Sequence, residues 1–98
     1  MASSDPRLIL LSAQDNCLAV AASLESGTVL EVEGRRIVIE VPVGIGHKLA
    51  RRDIAQGEKI LKYGAVIGSA TAAIRCGEHI HLHNLASDYI ATYTLPAG

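Results

Sequence analysis

The chain has 98 residues, 49% of them hydrophobic and 19% charged, with nine basic against ten acidic side chains and a formal net charge of −1. One domain with one modest core fits this length, and the apolar fraction excludes a disordered chain. With no Trp, no Phe and aromatics at 3%, little is left for stacking bases, which argues against a nucleic-acid module. The longest apolar run, Cys17 to Ala22, is too short to span a bilayer, and the amino terminus lacks a signal peptide's basic-then-apolar pattern. A cytoplasmic domain with no membrane anchor is the expectation. Cys17 and Cys76 match no metal-binding spacing and are expected to be free thiols. Charge is unevenly spread: Arg35 to Arg75 holds eight basic and three acidic residues. Such a basic middle faces an anionic small molecule or an acidic partner, or is a mixed solvated surface.

In chain order, Arg7–Leu11 reads as a short buried strand and Ser12–Asn16 as a turn. Cys17–Leu24 fits a short helix capped by Asp15 or Asn16, or equally a central strand. After the break at Ser26-Gly27, Thr28–Glu33 alternates, with Leu30 and Val32 on one face. Glu33-Gly34 predicts a hairpin turn into a strand over Arg36–Val43, with Ile37, Ile39 and Val41 sharing a face. Pro42 ends that strand or puts it at a sheet edge. Gly44-Ile45-Gly46-His47-Lys48 predicts a loop. Asp53–Ile60 is then echoed by Ala73–Ile80, each with Ile before a turn, Gly-Glu at the turn and Ile in the emerging strand. The shared local structure is expected to be a short helical turn, a permissive glycine and a strand. Lys62–Gly68 adds another tight turn and short strand. Many short strands with glycine-marked turns predict a mostly β, compact fold that is not a sandwich.

The chemistry-bearing segment is Gly77-Glu78-His79-Ile80-His81-Leu82-His83-Asn84, which holds three of the four histidines. As a strand it places His79, His81 and His83 on one face and Ile80 and Leu82 in the core. Same-face neighbours would lie about 6.6 Å apart, so His79 and His83 would be roughly 13 Å apart. Three readings are open: a divalent metal site drawn from His79, His81 and His83, an acid–base or substrate-binding role in a shared active site, and an exposed histidine face. Gly44–Lys48 is a second candidate, as a plain loop or as an anion-binding loop using Gly46, His47 and Lys48. Lys62, before Tyr63-Gly64, is a third candidate for an anion and otherwise a surface residue. No Ser, Cys or carboxylate pattern forms a catalytic triad or acid pair.

The run Gly46-His47-Lys48-Leu49-Ala50, Asp53-Ile54-x-x-Gly57-Glu58, Lys62-Tyr63-Gly64, Ile67-Gly68-x-Ala70-Thr71, Ile74 and Gly77–Leu85 resembles the amino-terminal domain of altronate and galactarate dehydratases. Asp15-Asn16 and Gly27 also resemble the start of that domain, which occurs as a separate small subunit in lyases such as sulfolactate sulfo-lyase. The resemblance runs from about residue 8 to residue 86. It implies an SAF-type β-clip fold over residues 1–86, with 87–98 as a carboxy-terminal tail or linker. It further implies a sugar-acid hydro-lyase whose larger catalytic subunit uses iron or manganese. In that setting His81 and His47 are the expected catalytic residues, and Lys48, Gly46 and Lys62 the expected substrate-binding ones. The alternatives are a non-catalytic β-clip module that binds a sugar acid or holds the assembly together, and a metal-binding homo-oligomer using the histidine row.

Overall fold

The computed structural model describes residues 5–87. The expected tail lies outside them except for Ser87. Among the described residues every regular element is a strand: β1 (Leu8–Ile9), β2 (Cys17–Val20), β3 (Val29–Val32), β4 (Arg35–Val38), β5 (Lys48–Ala50), β6 (Lys59–Lys62), β7 (Ala65–Ala70), β8 (His79–Ile80) and β9 (Leu85–Ala86). All pairings are antiparallel, giving a sheet ordered β1-β2-β5-β8, the hairpin β3-β4 and a sheet ordered β6-β7-β9. The mostly β, SAF-type fold expected from the glycine-marked strands is what is present. No helix among the described residues is long and apolar enough to cross a membrane.

The architecture is one unit used twice. Residues 24–49 run through a bridge at Leu24, a turn at Gly27, the β3-β4 hairpin, a bridge at Val43, a turn at Gly46 and β5. Residues 54–80 repeat that order with Ile54, Gly57, the β6-β7 hairpin, Ile74, Gly77 and β8. Leu24 bridges Val43 and Ile54 bridges Ile74, each pair exchanging two backbone hydrogen bonds of 2.8–2.9 Å. In each turn the glycine has positive φ (84–91°) and its N–H donates to a carbonyl elsewhere in the chain: Ile39, Val20, Ala70 and Ala50 in turn. The second unit is one residue longer by its end, and β6 carries a bulge between Ile60 and Leu61. The echo of 53–60 in 73–80 is therefore part of a fourfold recurrence that also includes 24–30 and 43–49. Its turns are β-turns closed by i→i+3 bonds (Glu58 N–H to Ala55 O, 3.0 Å; Glu78 N–H to Arg75 O, 2.9 Å), with no helical turn.

The β1-β2-β5-β8 sheet separates two cores. Leu18, Val20 and Leu49 point toward β3-β4, joining Leu24, Leu30, Val32, Ile39 and Val43. Cys17, Ala50 and Ile80 point toward β6-β7, joining Ile54, Ile60, Ala70 and Ile74. Cys17–Val20 is thus a central strand covered on both faces, which is why its apolar run lacks the alternation of a one-sided strand. Both cysteines are free and buried, one in each core.

Three local expectations are corrected. β1 is a two-residue edge strand with Ile9 46% exposed, because Arg7–Leu11 pairs on one side only. The strand after Glu33-Gly34 stops at Val38, so Ile39 is buried while Val41 is 71% exposed just before Pro42. Lys48 opens β5 instead of closing the Gly44 loop.

Asp15 and Asn16 fasten the second unit to β2. Asp15, 2% exposed, accepts the Tyr63 and Gly64 N–H groups (2.9 and 2.7 Å), holding a two-residue hairpin turn whose φ values, 58° and 74°, are those of type I′. Asn16 donates to the Lys59 carbonyl and accepts from the Leu61 N–H, both at 2.9 Å, across the bulge. Neither residue caps a helix.

A substitution pair tests the turn geometry. Gly77 has φ +84° and an added Cβ would overlap the Ile37 side chain, whereas at Gly27 (φ +91°) nothing lies within 4 Å. Gly27→Ala is expected to cost about 1–3 kcal/mol from backbone strain alone, and Gly77→Ala measurably more. Urea unfolding midpoints of the two variants check this order.

Candidate functional site

The two units meet where β5 pairs with β8, Leu49 opposite His79 and Lys48 opposite Ile80. Residues opposite each other in an antiparallel pair share a face, and neighbours along a strand do not. His79 is therefore on the Leu49 side and Lys48 on the Ile80 side. His47, one residue before Lys48, falls with His79. Its Nδ1 lies 3.0 Å from His79 Nε2, one ring donating and the other accepting.

His81 joins them through a turn. The strand ends after Ile80, and Asn84, 3% exposed, closes residues 81–84 from inside. Its Oδ1 accepts the His81 N–H and its Nδ2 donates to the His79 carbonyl, both at 2.9 Å, while the Asn84 N–H donates to the His81 carbonyl at 3.0 Å. These bonds replace the ladder that a longer strand would have had. The expected histidine row is thereby corrected: Leu82 is 81% exposed instead of buried, and the His79 and His83 ring centroids are 5.8 Å apart. The His79 and His81 rings stack at 5.5 Å and 9°, and His47 lies 5.0 and 5.2 Å from them.

One nitrogen from each of His47, His79 and His81 lies within 4.8 Å of the other two. Among the described residues this is the group able to hold a metal ion, and His83 is not part of it. The sequence named metal ligands on one segment only and left any further ligand to come from elsewhere; it comes as His47 from the other repeat, a contact no local pattern records. The positioning role of Asn84 was also missed, although Asx residues that bond their own backbone are a known turn signal.

Gly46 and Lys48 do not build an anion loop with His47. The Gly46 N–H donates to the Val20 carbonyl at 2.9 Å and the His47 N–H to Gly44 at 3.3 Å, so neither is open to a ligand. Lys48 belongs with Lys62 on the opposite face. Burial pushes the Lys48 ammonium below the usual lysine range, the charge of Lys62 adds to the effect, and Cys17 opposes it. Burial, followed by Asp15, raises the Cys17 thiol to about 11, so it is no nucleophile at neutral pH. Of the basic middle segment, Arg35, Arg51 and Arg52 pair with Asp53, Glu33 and Glu58. A groove of about 670 Å³ beside the histidines is lined by Ile37, Val38, Val41, Arg75, His79 and His83, among others.

Residues 6–88 match the family model of the altronate/galactarate dehydratase SAF domain. The chain is 41% identical over 76 residues to altronate dehydratase of Escherichia coli and 38% identical over 76 residues to that of Bacillus subtilis, covering 78% of this chain and 15% of each enzyme. It is 42% identical over 67 residues to (2R)-sulfolactate sulfo-lyase subunit alpha of Chromohalobacter salexigens, covering 66% of this chain and 70% of that subunit. The chain therefore spans a small fraction of the dehydratases and most of the sulfo-lyase subunit.

His79 provides a pH test. Burial first, then the neighbouring charges of His47, His81, His83 and Lys48, lower its pKa below the ordinary value. The unfolded chain thus takes up this proton more readily than the folded one. The stability it contributes is full above the usual histidine value of about 6.5 and is lost as pH falls through it. NMR titration of the His79 ring should give a midpoint below that of a free histidine. The melting temperature should fall from pH 7 to 5.5 more steeply in the native chain than in His79→Gln. Equal slopes would remove His79 as the cause.

Proposed function

The chain belongs to the family of altronate/galactarate dehydratase SAF domains, and from that premise we propose that it is the small subunit, or amino-terminal domain, of a sugar-acid hydro-lyase. Its work is to complete an active site whose larger part lies on a catalytic portion outside these residues. The observation that carries this reading is coverage: the chain matches 15% of two altronate dehydratases and 70% of a protein named as a lyase subunit. Exposed apolar side chains around the histidines support a covering partner. Ile45 precedes His47 by two residues and is 66% exposed, Leu82 separates His81 from His83, and Val41 lines the groove with His79.

Elimination of water from a hydroxy acid requires removal of a proton α to the carboxylate and assistance to the departing hydroxide. The iron or manganese that the family resemblance implies would supply charge stabilisation for that leaving group. On this chain, His81 has the exposed ring suited to accept or return the proton. His47 and His79, hydrogen-bonded to each other, orient the ring beside it. Lys48 takes no part in that step, since strand alternation directs it to the other face, where the charge of Lys62 reaches it. The chain alone is expected to be inactive.

Tagging the chain in its host and identifying what elutes with it tests the partner, and sugar acids with added iron or manganese test the eluate for dehydration. His81→Ala should lower kcat of the assembled enzyme by about 10²-fold or more, the range of lost general acid–base catalysis, with the melting temperature of the small chain unchanged. Full activity in that variant would refute the role of His81. A chain that elutes alone and inert would favour the non-catalytic binding module.

A further inference from the structure

The three rings at the β5–β8 seam are close enough to converge on a single ion. Nitrogens bound to a single ion at about 2.0–2.1 Å stand roughly 3 Å from one another, and His47 Nδ1 and His79 Nε2 are already 3.0 Å apart. One nitrogen of the exposed His81 lies within 4.8 Å of one nitrogen of each of the other two rings, so the set converges on a common point. We propose that His47, His79 and His81 form a three-nitrogen site for a late first-row divalent cation such as zinc, with the remaining coordination positions open on the exposed His81 side.

The chemistry of the donors sets the class of ion. Three imidazoles with no carboxylate among them suit zinc, copper, iron, cobalt or nickel, and not calcium or magnesium, which take oxygen ligands. Preorganisation comes from both repeats. The β5–β8 register fixes His47 against His79, and the buried Asn84 side chain holds the turn that stacks His81 on His79. His83 is excluded from the set even though it neighbours His79. A site with three protein nitrogens and open positions has the form of a catalytic centre, whereas a closed structural one has four protein ligands. This site does not depend on the composite-enzyme reading, because it concerns one chain with no partner or substrate present.

Titrating the 98-residue chain with Co²⁺ at neutral pH, followed by visible absorption, and with Zn²⁺ by calorimetry, tests it. The expected result is one ion per chain with the absorption bands of nitrogen-bound, four- or five-coordinate cobalt. His47→Ala and His81→Ala should each weaken Co²⁺ binding by at least about 100-fold, beyond the loss seen when only an outer-shell partner is removed. His83→Ala should leave binding unchanged. Thermal melts of each variant separate loss of ligand from loss of fold, and the exposed His81 keeps one variant folded in any case. No binding by the native chain, binding kept in His47→Ala, or half an ion per chain would each overturn the proposal. Loss in His83→Ala equal to that in His81→Ala would overturn it too, returning the ligands to a single segment.

Discussion

The molecule depends on a short antiparallel pairing, Lys48 and Leu49 of the first repeat against Ile80 and His79 of the second. Each repeat is a hairpin with two glycine turns that cannot bury its apolar face alone. The pairing of β5 with β8, backed by β2, gives both repeats a common wall. Leu49 and Ile80, each 0% exposed, pass through that wall in opposite directions into different cores. A slip of one residue would exchange the faces and turn both side chains out of their cores, so the register is fixed by burial on both sides.

That same register decides which candidate residues meet. His47 and Lys48 are adjacent in sequence, yet alternation sends one to the histidine group and the other to Lys62 and Cys17. His79 and His81 face His47 because the seam places their segment there and because Asn84 ends the strand at Ile80. Buried polar side chains carry much of this precision. Among the described residues the buried polar ones are Asp15, Asn16 and Asn84, and each bonds backbone groups that the short strands leave unpaired. Among the described residues, no buried side-chain nitrogen or oxygen lacks a hydrogen-bond partner. The fold has little long ladder to rely on, so these side chains complete its backbone hydrogen bonding.

The active-site reading and the metal site make different demands on the same rings. Proton transfer asks for one exposed imidazole of suitable pKa, with neighbours that orient it. Ion binding asks for three converging lone pairs and open coordination positions. The seam supplies both arrangements because β5 of one repeat pairs there with β8 of the other and histidines stand at the ends of both strands. Relatives in which the same domain is fused to a long chain, and others in which it is a separate subunit, fit a unit that folds around its own two cores and presents this edge outward.

By itself the sequence determined the class of structure. Paired glycines, short alternating runs and the near absence of aromatics specified short strands with tight turns, because backbone conformations of positive φ and period-two burial are local properties written residue by residue. The hairpin turn at Glu33-Gly34 and the burial of Leu30 and Val32 were legible for that reason. The repeat was half legible: the echo at 53–60 and 73–80 was visible, whereas 24–30 and 43–49 share only the spacing of an aliphatic, a glycine three residues on and a second aliphatic three beyond it. Tertiary structure alone decided the site. That His47 lies against His79, that Lys48 does not, and that the histidine strand stops at Ile80 follow from pairing and from Asn84 bonds within a fold that closes at a distance. Such contacts join segments 32 residues apart, and no local pattern encodes which distant strand will be opposite.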